Sequence, residues 1–133
     1  MVRLILSVAV GFLIMEVLAL ATQFALLQFF FRSAIAGIEM GQLPPAYLLA
    51  NGACSLFYAV IGGCIAASIG RRYEAPTILG ALMLGMGIGS LFMNRGGQPI
   101  WYAAAIPVIG ALMATMAGYS WLGRQPGVPR KGD

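Results

Sequence analysis

The run from Leu4 to Phe31, bounded by Arg3 and Arg32, carries a single ionisable group, Glu16. About 20 residues rising about 1.5 Å each cross a bilayer core of roughly 30 Å, so a run this long predicts a membrane span. Further apolar runs extend from Tyr47 to Ile69, from Pro76 to about Asn94 and from Ile100 to Leu122. Sixty per cent of the 133 residues are hydrophobic and 9% are charged, and the mean hydropathy is +0.87, which leaves too little polar surface to solubilise a globule. The sequence therefore predicts an all-α integral membrane protein in which four transmembrane helices form an up-down antiparallel bundle over residues 1–124. The remainder, 125–133, combines prolines, glycines and mixed charge and is expected to be a disordered cytoplasmic tail.

Breakers and charges divide the spans. Pro44-Pro45 stops any helix continuing from the first connection, Ser33 to Pro45, and Gly70-Arg71-Arg72 ends the second span. Pro76 suits a first helical position, where its missing N–H is no loss. Arg95-Gly96-Gly97-Gln98-Pro99 reads as a short turn that makes an antiparallel hairpin of the last two spans, and Pro107 predicts a kink in the fourth. Arg3, Arg71, Arg72, Arg124, Arg130 and Lys131 fall on one side of the membrane and Arg32 and Arg95 on the other, a six-to-two bias that places both termini in the cytoplasm. Trp101 and Tyr102 open the last span and Tyr119 and Trp121 close it, about 27–30 Å apart, the spacing of two interfacial belts.

The formal charge of +4 follows from cations dispersed at span ends, a topological pattern that does not point to nucleic acid. Met1-Val2-Arg3 before an apolar run, with Ala19-Leu20-Ala21 after it, has the outline of a signal peptide. The run continues well past Ala21 and would put Glu16 in the hydrophobic region, so the first span is expected to be retained. Cys54 and Cys64 lie about 15 Å apart along one helix, too far to pair, and are expected to be small buried thiols.

Lipid gives helices no hydrophobic drive toward one another, so contacts rest on close backbone approach and on polar groups that prefer each other to hydrocarbon. Small residues at four-residue spacing predict packing faces: Ser55, Ala59, Gly63 and Ala67 in the second span, Ala81, Gly85 and Gly89 in the third, Gly110, Ala114 and Gly118 in the fourth. Asn51, Ser55, Tyr58 and Gly62 share one arc of the second span, and Glu16 and Gln23 share a face of the first. These two faces are expected to meet, with Tyr58 or Asn51 the partner of Glu16.

Glu16 is the residue that invites a mechanism. A carboxyl at mid-membrane costs several kcal/mol if ionised and unpaired, and such groups are found protonated, paired or at water-filled sites. Glu16 thus predicts either a proton- or cation-coupled site or a hydrogen-bonding acid between helices. No histidine is present, and no carboxylate or thiol cluster replaces it, so no metal or cofactor ligand set is expected. No nucleophile has a candidate base, no phosphate-binding glycine loop occurs, and an enzyme is not expected. Methionines 83, 86, 93, 113 and 116, at helical spacing among glycines, are expected to fill packing gaps.

Gly62-Gly63-Cys64-Ile65-Ala66-Ala67, Ile78-Leu79-Gly80-Ala81-Leu82 and the stretch GGQPIWY from Gly96 to Tyr102 resemble a group of small, mostly uncharacterised bacterial four-span membrane proteins, over roughly Asn51 to Gly123. Members of that group often carry an acidic residue in the first span, to which Glu16 answers, and a histidine before the third, which this chain lacks. The resemblance implies a multi-pass protein of the bacterial inner membrane and no particular activity. In length and in Glu16 the chain is also similar to the small multidrug resistance transporters, whose first-span glutamate exchanges protons for cationic drugs. The six-to-two charge bias, the third span's lack of drug-site aromatics and the tail depart from that pattern. The expectation is a non-enzymatic accessory or assembly subunit, in contact with lipid and with other membrane subunits or copies of itself through its small-residue faces. The alternative is a small proton-coupled transporter working through Glu16.

Overall fold

The computed structural model describes residues 1–30, 43–93 and 99–125. Helix α1 spans Val2–Ala25 and continues through a π-helical turn, Leu26–Phe30; α2 is Pro45–Gly70, α3 Glu74–Phe92 and α4 Ile100–Gly123. Most of the first connection, the turn at Arg95 and the tail beyond residue 125 lie outside the described residues. Backbone groups in hydrocarbon must be satisfied within their own segment, and a helix does this for any apolar sequence of sufficient length. All four helices are long and apolar enough to cross a membrane, the architecture of a multi-pass membrane protein. The 19 residues of α3 rise about 28 Å, just enough to span a bilayer core, whereas the 26 of α2 rise about 39 Å and exceed its thickness. Large apolar side chains such as Leu13, Val17, Leu20, Phe57, Ile88 and Leu112 cover the outside of the bundle.

Local chemistry sets the ends. Pro45 sits in the first turn of α2. α3 begins two residues before Pro76, at Glu74, whose carboxylate complements the positive end of the helix. Arg71 caps α2 in the left-handed region at φ 50, ψ 32, a position glycine usually takes and one that costs other residues roughly 1–2 kcal/mol. Gly70 is needed one residue earlier, because a Cβ there would lie 2.8 Å from Ala75 Cβ and 2.9 Å from Ser7 Oγ.

The chain alternates direction from helix to helix, but the most extensive contact is between α2 and α4, which run parallel. Small residues make it possible. A Cβ on Gly63 would overlap the Ala114 carbonyl, Gly118 lies against the Gly63 carbonyl and Pro76, and Gly110 faces Ala59 and Met83. The antiparallel α1–α2 pair crosses where Gly11 and Gly62 meet: a Cβ on Gly11 would come 2.9 Å from the Gly62 carbonyl, and one on Gly62 3.2 Å from that of Gly11. Ala59, Ala66, Ala67 and Ala114 are fully buried, so alanine and glycine occupy much of the interior.

The third predicted packing line is not used within the bundle. Ala81, Gly85 and Gly89 are exposed, and a Cβ on Gly85 or Gly89 would meet nothing within 4 Å. α3 turns Pro76, Leu79, Gly80, Met83 and Gly87 inward, with Gly80 against Ala111 and Thr115 and Gly87 making room for the Pro107 ring. α4 runs through Pro107 unbroken. Two other expectations also change. Tyr102 is 5% exposed and faces the bundle, leaving Trp101 on the outside, and Met93 and Met116 point outward while Met83 packs in the core. Cys54 and Cys64 are free and half-buried.

Candidate functional site

Side-chain hydrogen bonds join helices near both ends of the bundle, and at the end where α1 begins Thr77 and Tyr119 share one between α3 and α4. At the level where α1 ends and α2 and α4 begin, the Gln23 side chain bonds the Tyr47 hydroxyl, and Asn51 Nδ2 donates to the Tyr102 hydroxyl at 3.3 Å. Tyr47 is 2% exposed, and a Cβ on Gly52 would lie 3.3 Å from the Tyr102 oxygen, so the small residue at position 52 makes room for the Tyr102 ring. Slightly deeper, the Thr22 and Tyr58 hydroxyls share a hydrogen bond that ties α1 to α2. Polar groups inside a membrane are satisfied by one another in this way, at a gain of about 0.6 kcal/mol for an average interhelical bond.

The predicted faces of α1 and α2 meet, with different partners from those expected. Gln23 reaches Tyr47, Tyr58 takes Thr22, and Asn51 reaches across to α4. Neither Tyr58 nor Asn51 bonds Glu16. The sequence reading takes Tyr102 only as an interfacial aromatic and does not single out Thr22 or Tyr47, although Thr22 neighbours Gln23 and Tyr47 is one turn before Asn51 on the same face.

Glu16 lines a partly open cavity of about 260 Å³ to which all four helices contribute. Its walls are mainly apolar, with Phe12 and Met15 from α1, Leu56 from α2, Met83 and Met86 from α3, and Ile106 and Pro107 from α4. Ser55 and Ser90 are the other polar side chains that reach it. Each serine gives its O–H to its own helix, Ser55 to the Asn51 carbonyl at 2.8 Å and Ser90 to the Gly87 carbonyl at 2.7 Å. Their oxygens therefore face the cavity as acceptors with no proton left to donate. Among the described residues Glu16 has no hydrogen-bond or ion-pair partner. The described cations, Arg3, Arg71, Arg72 and Arg124, all lie at one end of the bundle, and Arg3 is about 20 Å along α1 from Glu16.

The site is thus rich in acceptors and poor in donors within an apolar enclosure. A species complementary to it brings a positive charge or a donor hydrogen: a proton alone, or a small hydrophobic ammonium ion whose apolar part suits Phe12 and the methionines. Neither a protein-family model, nor a curated protein, nor a solved structure matches this chain.

Proposed function

We infer that this is a small multi-pass membrane protein that binds a hydrophobic cation in exchange for a proton at Glu16, as a proton-coupled transporter does. One observation carries the reading: Glu16 faces a 260 Å³ apolar cavity without a partner among the described residues, and the two hydroxyls beside it act only as acceptors. A merely structural acid would find a hydrogen bond across a helix interface, as Gln23, Thr22 and Asn51 do. The charge distribution supports an orientation with both termini in the cytoplasm, and the resemblance to small bacterial four-span proteins supports the bacterial inner membrane as its location.

Dicyclohexylcarbodiimide, an apolar reagent for carboxyl groups in hydrocarbon, tests the site on the purified protein in mild detergent. It is expected to modify Glu16, located by mass spectrometry of the intact chain and its peptides, and phenethylammonium is expected to slow that reaction. Modification that the cation leaves unaffected would count against the site.

A second reading, a non-enzymatic accessory subunit of a larger membrane assembly, is favoured by a separate observation. Ala81, Gly85 and Gly89 form a small-residue line that the bundle itself leaves uncovered. Such lines serve helix association in membranes. Co-purification of a stoichiometric larger subunit from native membranes, abolished by Gly85→Leu, would establish that role.

A further inference from the structure

At the end of the bundle opposite Tyr47 and Tyr102, a second cavity of about 250 Å³ is lined by Met1, Arg3, Leu4, Gly70, Arg71 and Arg72. Three of these six residues are arginines, drawn from the start of α1 and from the turn between α2 and α3, so the cluster exists only because α1 packs antiparallel on α2. The Glu16 site plays no part in it.

The arginines are held in place by different means. Arg3 Nε donates to the Ile69 carbonyl at 2.9 Å, which satisfies an orphan acceptor at the end of α2 and leaves the terminal nitrogens of the guanidinium unused by that bond. Arg71 is fixed by its backbone: its N–H bonds the Ala67 carbonyl at 2.9 Å and its φ of 50 places it in the left-handed region. Glycine would occupy that position with less strain, and the chain places a guanidinium there instead. Arg72 lies 3.7 Å from Glu74, an exposed pair weakened by solvent. Glu74 is the acidic group next to the cluster, and it does not line the cavity.

We propose that this cavity binds a phosphate group through Arg3, Arg71 and Arg72, the phosphate being that of an anionic phospholipid headgroup or free in solution. Guanidinium forks match tetrahedral oxyanions in geometry and charge. Liquid water takes about 30 Å³ per molecule, so the volume admits a phosphodiester together with part of its polar substituent. The location suits a lipid, since basic pockets at the membrane-facing ends of helices recognise anionic headgroups.

Native mass spectrometry of the full chain in mild detergent tests this, with dioleoyl phosphatidylglycerol and dioleoyl phosphatidylcholine as probes that share acyl chains and differ in net charge. Phosphatidylglycerol is expected to bind at least tenfold more tightly. Arg71→Gly is expected to weaken that binding at least fivefold while raising the thermal midpoint, because it removes the charge and the backbone strain together. Arg72→Gln, on an exposed side chain, is expected to weaken binding without altering the melt. Inorganic phosphate at millimolar concentration distinguishes the sources: failure to displace the lipid assigns the site to a headgroup, and displacement assigns it to free phosphate. Equal binding of the two lipids, or a preference for phosphatidylglycerol that survives Arg71→Gly, would overturn the proposal.

Discussion

Leucine at position 63 cannot be accommodated by side-chain adjustment, because what stands in its way is the Ala114 backbone carbonyl. Gly63→Leu should force α2 and α4 apart and cost about 3 kcal/mol or more, read as a lower midpoint in detergent unfolding. The Tyr58 hydroxyl is a milder case. Tyr58→Phe removes the bond to Thr22 and leaves the ring in place, so a loss of about 0.5–1.5 kcal/mol in the same unfolding measurement is expected. Glu16 differs from both. It has no partner to lose among the described residues, and Glu16→Gln should leave the unfolding midpoint within about 0.5 kcal/mol of wild type. A fall as large as that of Gly63→Leu would mean that the carboxyl holds the bundle together and is not a binding group.

At the scale of elements, the spans were legible because length and apolarity alone decide whether a helix can cross a bilayer. The run from Pro76 to Asn94 became Glu74–Phe92, and that from Tyr47 to Ile69 became Pro45–Gly70, with the small differences lying at capping positions. What could not be read was the rotation of each helix about its axis. In water an amphipathic stripe marks the inner face; in hydrocarbon both faces of a span are apolar and the stripe disappears. α3 shows the consequence, since it carries one small-residue line through Gly80 and Gly87 and another through Ala81, Gly85 and Gly89, with residues 80 and 81 only about 100° apart. Sequence spacing favoured the second line, and the Pro107 ring, which needs Gly87 opposite it, selects the first. Gly85→Leu should therefore leave the bundle's unfolding midpoint unchanged, in contrast to Gly63→Leu. A change in its particle mass on native mass spectrometry without such a loss would locate an intermolecular contact on that face. Partner choice among the polar groups was hidden for the same reason: Gln23, Tyr58 and Asn51 were recognisable as the polar side chains of the spans, but which hydroxyl each reaches depends on how each helix is rotated and where it crosses its neighbours.

Across the whole molecule the chemistry is layered along the bundle axis. Tyrosines and amides join α1, α2 and α4 at one end, arginines cluster at the other, and between them an apolar cavity holds one carboxyl. The packed layers are built from glycine and alanine in close contact, whereas the cavity forms where the α4 helix carries Pro107 and the walls are flexible methionines. This division separates a rigid frame from an adaptable site, which suits a ligand recognised by one charge and by apolar bulk. Proton and cation would compete for the same carboxylate there. The most direct measurement is the affinity of the detergent-purified protein for phenethylammonium, for wild type and Glu16→Gln side by side. Binding by wild type that is at least tenfold weaker in Glu16→Gln is the expected result; equal affinity in both proteins would contradict a Glu16 site.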